Sequence, residues 1–200
     1  DEKGQGVLTG LTNISDIKAF EYHDGVKSPC DGELSYRGYN IKDLVTGSKG
    51  KRFVFEEGAY LLLFGELPTD TQLMEFQGRL SDCMELPTNF TRDVIMKAPT
   101  SDIMGSMTRS ILTLGSYDKE KESLEIPNVL RQSMQLIAVF PMLAVYAYHA
   151  YCHYEKNESM YIHRPEKDLS IAENFLRLLR PDTKFTEPVS YTHLRAHETV

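Results

Sequence analysis

The sequence predicts an all-α, mainly helical protein with a small β hairpin near its N-terminus. Apolar residues recur at helical spacing from position 55 to position 179, whereas alternating patterns are confined to 11–20 and 34–41. Hydrophobic residues make up 41% of the 200 positions and charged residues 26%, which favours one sizeable core and argues against disorder. No internal repeat and no internal domain boundary stand out.

Two turn signals shape the predicted hairpin. The dipeptides Asp24-Gly25 and Asp31-Gly32 separate the alternating segments, and Asp-Gly is a preferred sequence for tight turns between strands. The segment 47–52 that follows is rich in glycine and lysine, but it lacks the spacing of a phosphate-binding loop and no apolar strand precedes it. It is therefore predicted to be a solvated connector.

Two helices joined by a Gly-Glu-Leu-Pro turn come next. The first begins at Phe55 and ends at Gly65 and Pro68, because glycine favours a helix C-terminus and proline cannot continue a helix. Thr69 caps the second helix, since its side-chain oxygen can accept a backbone N–H of the first turn. The apolar face of the first helix is formed by Ala59, Leu62 and Leu63.

Four further helices are predicted at 89–97, 102–114, 127–154 and 170–179. Pro127 is tolerated in the first turn of the long helix, and Pro141 is expected to kink it by removing one hydrogen bond. One side of the second of these helices carries Ile103, Met107, Ile111 and Leu114. Core filling is assigned to Met104, Met107, Met134 and Met142.

Composition and cysteine spacing exclude several classes of function. The net charge of -7 gives no general attraction to nucleic acid or to an anionic membrane. The three cysteines are widely spaced and form no Cys-x-x-Cys pair, so neither a disulfide framework nor a zinc site is predicted and a cytoplasmic location is expected. His149, Cys152 and His153 have a spacing that suits metal ligands, but their aromatic surroundings favour packing against other helices.

The segment 161–166 is the first candidate for a binding site. It places His163 beside Arg164 in a loop that Pro165 constrains, directly before a predicted helix. An imidazole and a guanidinium can bind a dicarboxylate through charge-assisted hydrogen bonds. The alternative is a solvated surface loop without a ligand.

The last thirteen residues, 188–200, do not continue the preceding pattern. They match the translation of a sequencing adapter in one reading frame, and we expect the native sequence to end near Glu187. His193 and His197 have the i, i+4 spacing of metal ligands, but both are excluded from site assignment together with this tail.

Four blocks in order resemble the citrate synthase family. They are Gly-Glu-Leu-Ser-Tyr-Arg-Gly-Tyr at 32–39, the helix and turn at 55–68, the long helix at 126–151, and the segment 161–175. One departure is visible, because many relatives carry His-Pro-Met where this chain has Asp102, Ile103 and Met104. The resemblance covers about residues 7–187.

The resemblance implies that residues 1–187 are the N-terminal part of the large domain of a helical homodimer or higher homo-oligomer. The family condenses acetyl-CoA with oxaloacetate and hydrolyses citryl-CoA to citrate and CoA, without a metal or redox cofactor. In relatives, a first catalytic histidine lies in a His-Ala-x-His segment soon after the counterpart of Phe185, and the other catalytic groups follow later. No catalytic residue is therefore carried over to this chain, and it is expected to be inactive.

The same resemblance places the segment around Ser170 and Asn174 near the oxaloacetate pocket, so His163 and Asn174 are the candidates for substrate binding. Two other functions stay open. The first is a 2-methylcitrate synthase, which uses propionyl-CoA. The second is a non-enzymatic helical interaction module, which predicts a stable monomer with a complete core.

Overall fold

A computed structural model describes residues 10–47 and 51–185 of the chain. The chain forms two compact units that divide between Leu73 and Met74. The prediction of a helical protein with a small antiparallel sheet is confirmed. The tail 188–200, and residues 48–50 of the predicted connector, lie outside the described residues.

The first unit contains a three-stranded antiparallel sheet in the order β1-β2-β3, formed by β1 (Ser15–His23), β2 (Val26–Tyr36) and β3 (Tyr39–Asn40). Asp24 and Gly25 form the predicted turn, with φ angles of 51° and 81°. The second predicted turn is wrong, because Asp31-Gly32 lies inside β2. The pairing register shifts opposite this dipeptide, so the strand absorbs it as an irregularity.

A second tight turn joins β2 to β3, which is followed in the same unit by the helices α1 (Ile41–Gly47) and α2 (Val54–Phe64). Arg37 and Gly38 adopt φ angles of 49° and 86°. The Arg37 guanidinium donates hydrogen bonds to the carbonyl of Leu62, with Nη2–O at 2.9 Å and Nε–O at 3.3 Å. Arg37 thereby satisfies a carbonyl in the last turn of α2, where helical partners are absent.

The end of α2 is confirmed at Gly65, which has a φ of 84° and donates its N–H to the Leu61 carbonyl. The buried face differs from the predicted one. Ala59, Leu62 and Leu63 are only half-buried, and the buried side chains are Glu56, Tyr60 and Leu61.

The second unit is helical and is built around α5 (Ile126–Lys156), which contacts α4 (Ile103–Gly115), α6 (Ile171–Leu179) and a π-helical turn at Thr91–Ile95. The division between the units falls within α3 (Asp70–Asp82). Twelve side chains of α5 are buried, including Met134 and Met142. By length and composition alone α5 could cross a membrane, but a core helix passes the same test.

Side-chain caps define the starts of three helices, and the cap predicted at Thr69 is confirmed. The Thr69 hydroxyl accepts the N–H of Gln72 at the start of α3, and the Asp102 carboxylate accepts the N–H of Gly105 at the start of α4. At α6, Ser170 and Glu173 form a reciprocal capping box, with Glu173 N to Ser170 Oγ at 3.1 Å and Ser170 N to Glu173 Oε2 at 2.7 Å.

The predicted α-helix at 89–97 is a single π-helical turn instead. The N–H of Met96 reaches the carbonyl of Thr91, five positions back, at 3.0 Å, and Asn89 before the turn has a φ of 62°. Such turns are rare and are found mostly as single insertions. Spacing of apolar residues does not distinguish them from a short α-helix.

The buried face of α4 also differs from the predicted stripe. The stripe residues Ile103, Met107, Ile111 and Leu114 are half-buried, and the fully buried positions are Ser106 and Ser110. The Ser110 hydroxyl donates to the Ser106 carbonyl at 2.9 Å, which satisfies it without a distant partner. The assignment of Met104 to the core is wrong, since its side chain is 73% exposed.

Asp118 anchors the charged loop before α5 to the first turns of that helix. Its carboxylate accepts hydrogen bonds from Arg131 Nη2 at 2.8 Å, Gln132 Nε2 at 3.0 Å and the backbone N–H of Glu120 at 3.0 Å. These donors, with Gln132 contributing most, lower the pKa of Asp118 to about 2. The loop is therefore held by the ionised form of this side chain.

Replacing Asp118 by Asn is expected to destabilise the protein at pH 7 and to have little effect near pH 2. The contribution of the carboxylate is complete above its ordinary pKa of 3.8 and is lost as the pH falls to the folded-state value of about 2. Urea unfolding midpoints measured across this range check the prediction. Asp168→Asn, at an exposed position, is the matched control. Equal unfolding midpoints for D118N and the unchanged chain at pH 7 would contradict the prediction.

Candidate functional site

The candidate site is the loop between α5 and α6, which has no regular secondary structure over 157–166. Its backbone is held by side chains of the neighbouring helices. The Tyr146 hydroxyl of α5 donates to the His163 carbonyl at 2.5 Å, and Arg177 Nε of α6 donates to the Arg164 carbonyl at 3.2 Å. Burial raises the pKa of Tyr146 to about 12, which the nearby positive charge of Arg164 partly opposes.

Asn174 fixes the middle of this loop from α6. Its side chain is only 1% exposed. Its Oδ1 accepts the N–H of Glu166 at 2.9 Å, and its Nδ2 donates to the carbonyls of Glu166 at 2.9 Å and Leu169 at 3.3 Å. Because both ends of the amide contact the backbone of the loop, the structure gives Asn174 a positioning role. Substrate binding by Asn174 stays a prediction.

Side chains of α3 contact the backbone near the end of the loop. Gln77 Nε2 donates to the Lys167 carbonyl at 3.0 Å, and Ser81 Oγ donates to the same carbonyl at 2.9 Å. Lys167 Nζ also pairs with the Asp82 carboxylate at 2.8 Å. The sequence analysis did not identify these α3 residues, because they occupy ordinary helix positions and carry no motif.

His163 and Arg164 have different neighbours in the structure. The His163 ring lies 3.1 Å from the Pro181 carbonyl through Nε2 and stacks on Tyr161 with ring centroids 6.1 Å apart. Arg164 instead lines a cavity, and His163 does not. A substrate contact by His163, and the binding of a dicarboxylate by His163 together with Arg164, stay predictions.

A cavity with a volume of about 620 Å³ borders the loop. Met142 and Tyr146 of α5 line it together with residues of the loop and of the segment after α3. The lining consists of Ser81, residues 84–92, Met96, Met142, Tyr146, Ile162 and residues 164–167. The volume is within the range of about 300–1,000 Å³ that is typical of small-molecule sites.

The histidines of α5 are engaged by backbone carbonyls. His149 Nε2 lies 3.0 Å from the Leu178 carbonyl and His153 Nδ1 lies 2.8 Å from the Glu158 carbonyl, while Cys152 is buried. These contacts agree with the interpretation that the spacing serves helix packing. Among the described residues, no group of three or more histidine, cysteine and acidic side chains is arranged to hold a metal ion.

The fold defines a class of mainly helical proteins with a small antiparallel sheet. The crystal structure of citrate synthase from Pyrobaculum aerophilum superposes with a TM-score of 0.72 and 25% identity, covering 92% of this chain and 43% of that chain. Residues 4–196 match the family model described as citrate synthase, C-terminal domain. The chain therefore belongs to the citrate synthase family.

Two curated relatives illustrate the range of the family. The citrate synthase of Saccharolobus solfataricus is 29% identical over 86% of this chain, and the 2-methylcitrate synthase of Shewanella oneidensis is 32% identical over 73% of it. The chain spans 40% and 36% of the length of these two relatives. It thus corresponds to well under half of either protein.

Replacing Asn174 by Ala is expected to lower the free energy of unfolding by about 2 kcal/mol, because it leaves buried backbone groups of the loop without partners. It should also accelerate tryptic cleavage after Lys167, which lies in the loop that Asn174 holds. Urea unfolding and timed proteolysis measure the two effects. Asn13→Ala, at an exposed position, is the control, and unchanged cleavage in N174A would contradict the positioning role.

Proposed function

We propose that this chain is part of an enzyme that condenses acetyl-CoA with oxaloacetate and hydrolyses citryl-CoA to citrate and CoA. The observation that carries the proposal is the family match over residues 4–196. The helical fold supports it at a TM-score of 0.72. The proposed reaction uses no metal or redox cofactor, acetyl-CoA is a substrate, and a cytoplasmic location suits it.

The proposed chemistry needs a base and an acid in a site that excludes water. The methyl group of acetyl-CoA is a very weak acid, so a carboxylate can remove its proton only if an imidazole stabilises the developing enolate. The resemblance to the family carries no catalytic residue over to this chain. We therefore propose that the 200-residue chain does not catalyse the condensation by itself.

A second candidate is the condensation of propionyl-CoA to 2-methylcitrate. The relative from Shewanella oneidensis, which is 32% identical, bears the name 2-methylcitrate synthase. The two thioesters differ by one methylene group. Such a difference in an apolar pocket changes selectivity by only about 10- to 200-fold, so the family alone does not fix the acyl group.

The activity proposal is tested by release of free CoA from acetyl-CoA and oxaloacetate. We expect the product of the full-length gene to release CoA, and the 200-residue chain to give no release above the background without enzyme. A higher kcat/KM with propionyl-CoA would select the 2-methylcitrate candidate. Inactivity of the full-length product with both thioesters, together with sharp thermal unfolding of residues 1–187, would support a helical interaction module instead.

We further propose that the full-length protein is a homodimer or higher homo-oligomer. Several large apolar side chains of α4 and α5 are exposed in the single chain, and exposed apolar surface of this kind marks interaction sites. They include Met104, Leu112, Leu136 and Phe140. A second copy of the chain is the proposed partner.

The assembly is tested by sedimentation of the full-length product. We expect a dimer or larger species, and a shift toward monomer when Leu112 and Phe140 are replaced by Asp, because a buried unpaired carboxylate is costly. Leu124→Asp is the matched control, since Leu124 is 87% exposed in the loop before α5. A monomeric full-length product at micromolar concentration would contradict the proposal.

A further inference from the structure

The cavity beside the α5–α6 loop has an apolar interior. Met84, Phe90 and Met142 line it, and each of these side chains is buried, with exposures of 6%, 1% and 5%. Ile162 and Pro165 add apolar surface from the loop. Methionine adapts its shape to different ligands, so this interior suits a flexible hydrocarbon chain.

Most charges around the cavity are already paired. Arg92 contacts Asp93 at 2.7 Å, Lys167 contacts Asp82 at 2.8 Å, and Glu166 contacts Arg177 at 2.7 Å. Each pair is between a residue of the lining and a neighbour outside it.

Two charged residues of the lining, Glu85 and Arg164, take no part in these three ion pairs. Glu85 lies close enough to Lys167 to help raise the pKa of its ammonium group, although Asp82 contributes most. Within 10–47 and 51–185, the Arg164 guanidinium makes no hydrogen bond and no ion pair. Its positive charge acts on Tyr146, which also lines the cavity. Among the charged lining residues, Arg164 is thus the cation whose N–H groups are available to bind a ligand.

The loop presents Arg164 on a backbone that is held in place. The carbonyl of Arg164 accepts from Arg177, the preceding carbonyl accepts from Tyr146, and Glu166 is fixed through both its N–H and its carbonyl by Asn174. A backbone held on both sides of a charged side chain reduces the ordering that binding must impose.

We propose that this cavity binds an organic anion with a single charged head group and a short hydrocarbon chain, whose carboxylate or phosphate head pairs with Arg164 and whose chain lies against Met84, Phe90 and Met142. A compact dicarboxylate fits poorly. Its second carboxylate would lie against apolar side chains or near Glu85, and would lose hydration without gaining a partner. The inference goes beyond the condensation proposed above and does not depend on it.

The test uses the 200-residue chain and four probes, namely hexanoate, hexyl phosphate, hexanol and succinate, with binding followed by calorimetry and by NMR shift changes. Hexanoate or hexyl phosphate should bind at least about tenfold more tightly than hexanol and succinate, as expected for one charge-assisted contact in addition to the apolar one. The tighter of the two anions identifies the head group.

Arg164→Gln should weaken binding of the anions by about tenfold or more and leave hexanol unchanged, whereas Arg164→Lys should retain part of the affinity. Arg180→Gln is the matched control, because that guanidinium donates to the Lys184 carbonyl away from the cavity. Equal affinities in R164Q and R180Q would overturn the proposal. Succinate binding as tightly as hexanoate, or no binding of either anion, would overturn it as well.

Discussion

The helical unit depends on one constraint, which is that α5, a helix of 31 residues, must keep twelve of its side chains buried. No other described element of this unit is comparable in length, so α4, α6 and the π-helical turn pack against it. Its polar residues then fix the connections. Arg131 and Gln132 hold the preceding loop through Asp118, Tyr146 holds the following loop, and His149 reaches the end of α6. Core and connections are thus organised by the same helix.

The α5–α6 loop illustrates how irregular backbone is stabilised near a core. Since it belongs to no helix or sheet, its polar groups need other partners, and buried polar groups without partners are costly. Side chains from α3, α5 and α6 supply them, as Gln77, Tyr146 and Asn174 do. The cost of ordering this segment is therefore met by residues on three helices rather than by the loop itself.

Sequence reasoning succeeded where a structural signal is local. The Asp24-Gly25 turn, the stop at Gly65 and the start at Ser170 each depend on residues within a few positions, so they were predictable. Sequence reasoning failed where packing against distant parts of the chain determines the local structure. Asp31-Gly32 has the same composition as a true turn but lies within a strand, and Ser106 is buried at a helix surface that apolar spacing alone assigns to other residues.

The candidate site was predictable only in outline. The segment 161–166 drew attention because it combines an imidazole, a guanidinium and a proline, and it does border the cavity. The His163 ring, however, contacts the Pro181 carbonyl, and the loop backbone at Lys167 is held by Gln77, which lies 90 positions earlier in sequence. Contacts across such distances leave no pattern in one sequence.

The Arg37 contact bears on how variants of this chain are interpreted. An arginine in the most recognisable motif invites the assumption that it grips a phosphate of coenzyme A, yet its guanidinium is occupied by the Leu62 carbonyl. A substitution there would remove these hydrogen bonds and loosen the scaffold. The effect of such a variant is consequently a measure of folding and not a map of ligand contacts.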